Sequence, residues 1–122
     1  MSNHRADRVA ESIRRELPEL LRTVKDPRVS ALLSVVRVEV TGDLSAAKIY
    51  VSAMDGLDAT KTSVLGLRSA GGLLRHELGA RLGLKKAPTL AFIADDSIAH
   101  SAKIADMLKD MAPEQNDKNT DD

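Results

Sequence analysis

Residues 36–53 read VRVEVTGDLSAAKIYVSA, two runs of alternating apolar and polar side chains separated by a short polar turn. The apolar positions are Val36, Val38 and Val40 in the first run and Ala47, Ile49, Val51 and Ala53 in the second. Alternation with a period of two is typical of a strand that is buried on one face only. Because the turn at residues 41–45 is short, the two strands should pair as an antiparallel hairpin.

The segment that follows the hairpin has a helical period. From about Ala59 to Leu82, apolar residues recur at spacings of three and four, which predicts helix. The pattern is interrupted at Ala70-Gly71-Gly72, and a glycine pair inside a helix is both unfavourable and a common site of a sharp kink. We therefore expect two helices that meet at an angle, with Gly83 as the C-cap of the second.

Two further helices and one further strand complete the chain. Residues 6–24 carry one apolar stripe and predict a first helix, kinked at Pro18 because proline lacks an N–H and crowds the preceding turn. Residues 89–95 predict a third strand. Residues 98 to about 111 predict a last helix, for which Ser97 is the expected N-cap.

The order of these elements predicts an α+β fold, α-β-β-α-kink-α-β-α. The second and third strands are joined by a crossover of two helices, so they should run parallel with a right-handed connection. The expected result is a three-stranded mixed sheet with helices stacked on one face. The sequence leaves open whether the third strand pairs directly with the second.

Length and composition exclude several classes of protein. A chain of 122 residues forms about one domain, and the absence of cysteine excludes disulfides and thiol chemistry. Tyr50 and Phe92 are the only aromatic residues, too few for modules that stack bases on aromatic platforms. No apolar run is long enough to cross a membrane, and residues 1–10 do not resemble a secretory signal, so we expect a soluble, cytoplasmic protein.

Charge is distributed unevenly along the chain. Residues 1–94 carry 15 basic and 10 acidic side chains, whereas residues 95–122 carry 3 basic and 8 acidic ones. The neutral total therefore combines a body of net charge +5 with an acidic end of −5, and such asymmetry indicates contact with a polyanion or serves solubility alone. The composition predicts a folded domain at residues 1–112 and an acidic, disordered C-terminal tail at residues 113–122.

Several motifs, taken in order, resemble one known family. They are RVAE at residues 8–11, KDPRV at 25–29, the hairpin at 38–52, LLRHELG at 73–79 and PTLAFIADDSI at 88–98. Their combination over roughly residues 5–110 resembles the ribosome-binding factor A family. The element order is similar to a type II KH domain, an RNA-binding fold, so residues 1–112 are expected to form a KH-like RNA-binding domain.

The resemblance implies a function as well as a fold. A member of this family would bind free 30S small ribosomal subunits and assist late 30S assembly and processing of the 16S rRNA precursor, with contact to the 5′-terminal helix of that RNA. It would act as a monomer without a cofactor or enzymatic activity, and its absence would be felt most in the cold. The resemblance also places Ala70-Gly71-Gly72 where ordinary KH domains carry a Gly-x-x-Gly loop.

Candidate RNA-binding residues form two basic clusters and the kink. They are Arg22, Lys25 and Arg28 after the first helix, Arg68, Arg75, Arg81, Lys85 and Lys86 along the helix pair and the following loop, and Ala70, Gly71 and Gly72. Such charges are often only a solvated face. The small residues Ala70-Gly71-Gly72 let the helices turn and touch the sheet or admit an RNA backbone, and both can hold. The basic body and the resemblance favour a phosphate-contacting surface. Whether the two clusters share a face is left open.

Other kinds of site have little support. His4, His76 and His100 lie on three separate segments without the spacing of metal ligands, so no metal site is expected. The pair Asp95-Asp96 ends a strand and precedes a helix, where acids suit the helix dipole better than catalysis. The alternative function is a KH-like protein-interaction module that makes no direct RNA contact and whose basic residues only confer solubility. No set of residues predicts an enzyme.

Overall fold

The computed structural model describes residues 4–98, 100–101 and 103–109. Its elements are α1 (His4–Leu21), β1 (Leu33–Val40), β2 (Ala46–Ala53), α2 (Leu57–Ser69), α3 (Gly71–Leu82) and β3 (Thr89–Ala94). Residues 97–98, 100–101 and 103–109 are helical as well, and we refer to them as the C-terminal helical segment. The predicted α+β class and order of elements are confirmed. The acidic tail predicted at residues 113–122 lies outside the described residues and stays a prediction.

The three strands form one mixed sheet in the order β1-β2-β3. β1 pairs with β2 in the antiparallel sense, with Val38 opposite Ile49, and a bulge lies between Val35 and Arg37. β3 pairs directly with β2 in the parallel sense, with Phe92 opposite Ile49. The parallel direction is confirmed, and the pairing that the sequence left open is now known. β2 is therefore the central strand, and β3 lies at an edge.

The core lies between one face of the sheet and the helices. On β2, the side chains of Ala47, Ile49, Val51 and Ala53 are fully buried. The same core contains Ile13 and Leu17 of α1, Leu67 of α2, Leu78 of α3 and Phe92 of β3. Each large apolar side chain removed from water contributes roughly 1.5–3 kcal/mol, so this shared burial holds the helices on one side of the sheet.

Helix α1 continues through Pro18 to Leu21. Proline cannot donate the hydrogen bond that this position would make to Arg14, and its ring crowds that turn. The apolar stripe is expected to hold the helix together instead, and in it Ile13 and Leu17 are fully buried and Leu20 nearly so. The continuation of the helix through Pro18 and the burial of the stripe are observed, whereas the kink at Pro18 and the role of the stripe in holding the helix together stay predictions.

The break between α2 and α3 is a single residue. Ala70 has φ −92° and ψ 4°, ends α2 and begins α3. At the other end of α3, Gly83 adopts the left-handed conformation with φ 64°, and its N–H donates to the Ala80 carbonyl. Because glycine enters this region without steric penalty, Gly83 is the C-cap that the sequence predicted.

The start of the C-terminal helical segment differs from the prediction. Ser97 does not act as the N-cap, because its backbone N–H donates to Asp95 Oδ1 at 2.7 Å and it is itself the first helical residue. Asp96 takes the cap position, since its carbonyl accepts the His100 N–H at 2.6 Å. Hydrogen bonds from Ser97 lower the pKa of Asp95. The Asp95 carboxylate thus holds the turn that leads into the helix, and the helix begins one residue earlier than the sequence predicted.

The loop between α1 and β1 lies directly against α2. A Cβ placed on Gly66 would come within 2.8 Å of Val29 Cγ2 and 3.2 Å of Asp26 Cγ. The Ser30 N–H donates to Ser63 Oγ at 2.9 Å, one turn earlier on α2. Gly66 is thus required for the close approach of this loop, which in turn positions residues next to the break at Ala70.

This contact predicts opposite effects for two alanine substitutions in helices. Gly66→Ala should lower the free energy of unfolding by about 1 kcal/mol, because overpacking against Val29 outweighs the gain in helix propensity. Gly72→Ala should raise it by up to about 1 kcal/mol, because a Cβ there meets no heavy atom within 4 Å. Urea unfolding of both variants measures the two values, and equal shifts would contradict the packing described for Gly66.

Candidate nucleic-acid interface

The two glycines after the break face open space. A Cβ built on Gly71 or Gly72 would meet no heavy atom within 4 Å, and neither has a positive φ. The idea that these glycines let the helices pack on the sheet is therefore wrong, and a bulky residue at Gly72 need not clash with the sheet. Ala70 alone of the three packs against the core. The fold gives no reason for glycine at either position.

Arg68 and Arg75 lie on either side of the break and both reach towards β3. Arg68 donates through Nη2 to the Phe92 carbonyl at 3.3 Å, and Arg75 donates through Nε to the Ala87 carbonyl at 3.0 Å. Neither makes an ion pair with a described residue. A guanidinium carries five N–H donors, so one hydrogen bond positions each arginine and leaves the other donors for a ligand. The carbonyl that accepts this bond is neutral, so the positive charge stays uncompensated.

Arg28 is engaged in the structure itself. Its guanidinium forms a fork with the Asp26 carboxylate, at 3.0 Å from Nε and 2.8 Å from Nη2, and Nη2 also donates to Ser69 Oγ at 3.0 Å. Hydrogen bonds from Arg28 lower the pKa of Asp26 to about 2. Arg28 therefore ties the loop before β1 to the last residue of α2, next to Ala70, and its charge is matched by Asp26.

Members of the two predicted clusters meet at one cavity. A cavity of about 530 Å³ between the end of α1 and α3 is lined by Lys25, Ala70, Leu73 and Arg81, among others. The positive charge of Arg81 is compensated there by two glutamates of α1. Its Nη1 lies 3.3 Å from Glu19 Oε2 and 3.8 Å from Glu16 Oε1. Lys25 makes no ion pair with a described residue, and neither does the Glu77 carboxylate that lines the same cavity.

The remaining predicted cations lie elsewhere. Arg22 lines a different cavity, formed with β1. Lys85 and Lys86 line a third one together with Arg5 of α1, and Arg8 lines a smaller cavity that adjoins it. We call Arg5, Arg8, Lys85 and Lys86 the basic cleft. Sequence reasoning missed Arg5 and Arg8, because only the tertiary fold brings the start of α1 beside the loop that precedes β3.

The open face of the sheet offers no free aromatic ring. The guanidinium carbon of Arg37 lies 4.2 Å from the centre of the Tyr50 ring, and Tyr50 donates its hydroxyl to Glu39 Oε1 at 2.7 Å. Phe92 is buried in the core. This face therefore has no free aromatic ring on which an RNA base could stack. Any affinity for RNA depends on cations and backbone groups.

Metal ligands and membrane-spanning helices are both missing from the described residues. Within those ranges, no three His, Cys, Asp or Glu side chains lie together as metal ligands. In the same part of the chain, no helix has both the length and the apolar character that would let it cross a membrane.

The fold and the site together define a class of protein. A mixed sheet with one antiparallel and one parallel pairing, and a two-helix crossover broken at small residues, is the type II KH-like arrangement. The sequence model of the ribosome-binding factor A family matches residues 5–108. The chain belongs to the ribosome-binding factor A family.

Individual relatives agree with this assignment. Ribosome-binding factor A of Caldanaerobacter subterraneus subsp. tengcongensis is 37% identical over 117 residues, covering 95% of this chain and 96% of that protein. The protein of the same name from Methylobacillus flagellatus is 44% identical over 118 residues, covering 96% and 92%. The crystal structure of ribosome-binding factor A from Thermus thermophilus superposes with a TM-score of 0.65 at 26% identity, covering 73% of this chain and 93% of that one.

A second structural neighbour concerns a relative in a complex. A homology model of the Thermus thermophilus ribosome-binding factor A, fitted into a cryo-electron microscopy map of its complex with the 30S subunit, superposes with a TM-score of 0.62 at 26% identity. The superposition covers 73% of this chain and 93% of that chain.

The ion pair between Asp26 and Arg28 predicts a specific acid sensitivity. Because the pKa of Asp26 is lowered in the folded protein from 3.8 to about 2, its contribution is complete above about pH 4 and is lost as the pH falls towards 2. Asp26→Asn should therefore lose less stability over this interval than the wild type does. Arg28→Gln should flatten the profile only in part, because it removes the guanidinium hydrogen bonds but keeps the backbone N–H that donates to Asp26 Oδ1 at 2.9 Å.

Thermal unfolding at a series of pH values from about 2 to 5 measures these profiles. The double variant should resemble Asp26→Asn, since that substitution alone removes the titrating carboxylate. An acid profile of Asp26→Asn that follows the wild type would show that the pair contributes nothing in solution.

Proposed function

We propose that this protein is a ribosome maturation factor that binds free 30S subunits through their RNA and assists late 30S assembly and 16S rRNA precursor processing. It acts in the cytoplasm as a monomer, without a cofactor and without catalysing a reaction. Family membership and the 30S complex of the Thermus thermophilus relative support the 30S subunit as the partner. The observation that carries the RNA contact is the open space around Gly71 and Gly72.

Two glycines at the start of α3 are costly without a structural reason. Each is less favourable in a helix than alanine by up to about 1 kcal/mol, and neither φ nor packing requires glycine here. A side chain at these positions would project away from the protein. The two glycines are therefore explained by a ligand that approaches the start of α3 from outside the protein. Because glycine has no side chain, a sugar–phosphate backbone can come close to the main chain there.

The surroundings of the glycines suit a phosphate. No side chain caps the start of α3, where the helix dipole favours an anion. Around the same break, Arg68, Arg75 and Lys25 supply three positive charges that no ion pair with a described residue engages, against one such carboxylate, Glu77. We assign direct phosphate contact to these three cations. Arg28 acts as a positioning residue that ties the adjoining loop to Ser69.

Recognition at this surface reads the shape of the RNA more than its sequence. Phosphate contacts fix position without reporting sequence, and the single surface ring is covered by Arg37. A protein that reads shape can hold a helix of the immature RNA, such as the 5′-terminal helix of the 16S precursor, until neighbouring segments fold. Misfolded RNA escapes slowly at low temperature, so the requirement for the protein should be greatest in the cold.

Sedimentation with purified 30S subunits across a salt series tests the proposal. The logarithm of the association constant should fall with the logarithm of salt by about 0.7–0.9 per phosphate contacted. Gly72→Val should weaken association at least tenfold at unchanged melting temperature, because the added side chain blocks the close approach. Ala80→Val, a β-branched residue at an exposed position of the same helix, is the matched control and should bind like the wild type.

Two outcomes would contradict the proposal in different ways. If Gly72→Val folds normally and binds like the wild type, the break is not a contact site. If the wild type binds 30S subunits with no dependence on salt, contacts between proteins carry the association, and the KH-like protein-interaction module replaces the RNA-binding factor.

A further inference from the structure

The basic cleft lies at the opposite end of α3 from the break. Its main cavity, of about 590 Å³, opens between the start of α1, the turn between β1 and β2, and the loop before β3. A cavity of about 140 Å³ adjoins it and shares Arg5, Val9 and Leu84 while adding Arg8. Three separate parts of the chain thus converge on one opening with four cations at its rim.

The cations of the cleft are uncompensated. Among the described residues, none of Arg5, Arg8, Lys85 and Lys86 forms an ion pair, whereas Arg28, Arg37 and Arg81 each do. Four positive charges and one carboxylate, that of Asp43, line these two adjoining cavities, which leaves an excess of positive charge that attracts an anion. The cleft therefore has the electrostatic character of an anion site that is built from several segments of the fold.

Among the described residues, Asp43 is the one acidic side chain that lines the cleft, and it is engaged by its own turn. Its Oδ1 accepts hydrogen bonds from the Ser45 N–H at 3.1 Å, from Ser45 Oγ at 2.8 Å and from Thr41 Oγ1 at 2.8 Å. These bonds lower the pKa of Asp43 to about 2. The carboxylate stays charged, but it accepts its hydrogen bonds within the turn and forms no ion pair with the cations of the cleft.

The loop that carries Lys85 and Lys86 is fixed on α3. The Leu84 N–H donates to the Gly79 carbonyl at 3.0 Å, and Arg75 holds the Ala87 carbonyl from the same helix. A Cβ on Gly79 would lie 3.1 Å from Ala87 Cβ, so the loop approaches the helix as closely as a glycine permits. The two lysines therefore extend from a rigid support.

The floor of the cleft is apolar and includes a strained residue. Leu44, Leu84 and Pro88 line it between the cations. Leu44 has φ 63°, and it is the only residue other than glycine with a positive φ in the described part of the chain. A leucine rarely adopts this conformation, so the turn places an apolar side chain here against its backbone preference. An apolar floor within a cationic rim suits a ribose or a base flanked by phosphates.

We propose that the basic cleft binds the sugar–phosphate backbone of a second, single-stranded RNA segment, separate from the one at the break. The 12 residues of α3 span about 18 Å, so the glycines at its start and the cleft at its end are separate points of contact, with Arg75 between them. The protein then holds two segments of the immature RNA at once, one at each end of α3. This inference rests on the proposed function only in that RNA is the ligand.

Fluorescence anisotropy with a labelled single-stranded RNA of about 10 nucleotides tests the cleft without the ribosome. The double variant Lys85→Glu/Lys86→Glu should bind at least tenfold more weakly than the wild type, with a salt slope reduced by about 1.4 for two lost contacts. The control is Lys61→Glu/Lys103→Glu, which changes the net charge equally. Lys103 lines a cavity with Met54 and Gly56, beyond the other end of β2.

The results distinguish RNA binding in the cleft from an effect of net charge and from RNA binding at the break. The proposal for the cleft would be overturned if both double variants weakened RNA binding equally. It would also be overturned if the wild type did not bind the RNA at low salt. Lys85→Gln/Lys86→Gln repeats the test with neutral side chains if charge reversal disturbs folding, and binding equal to the wild type by this folded variant would also overturn it. Gly72→Val should keep the cleft-dependent binding, so failure at the break and failure at the cleft are distinguishable.

Discussion

The burial of one face of β2 is the constraint on which the rest of the structure depends. β2 is hydrogen-bonded on both sides, and its alternate residues from Ala47 to Ala53 are fully buried beneath the helices. Because the apolar row of β2 lies on that face, the crossover between β2 and β3 packs on the same side of the sheet as α1. The break at Ala70 lets the crossover turn within that layer.

The packing of the crossover helices on β2 determines where the two groups of uncompensated cations lie. α3 runs from the break at Ala70 to its cap at Gly83, so its two ends present different surfaces. One end combines bare glycines with Arg68, Arg75 and Lys25, and the other combines the loop at residues 83–88 with the start of α1. Arg75 links the two ends, because it flanks the break while holding the loop that carries Lys85 and Lys86.

The sequence predicted the elements well, because their signals are local. Alternation marks the hairpin, the glycine pair marks the junction of α2 and α3, and Gly83 marks the end of α3. The partners of each charge could not be predicted, because they come from distant segments. Arg28 pairs with Asp26 and donates a hydrogen bond to Ser69, Arg81 pairs with two glutamates of α1, and Arg5 joins Lys85 only in the folded chain.

The most direct test of the central claim is to map which residues touch RNA when the protein is bound to 30S subunits. Ultraviolet cross-linking followed by mass spectrometry of the protein identifies the peptides that carry nucleotides. The account predicts cross-links in two groups, at residues 68–75 around the break and at residues 85–86 in the basic cleft. Cross-links confined to the open face of the sheet around Lys48 and Tyr50, or to the C-terminal helical segment, would contradict it.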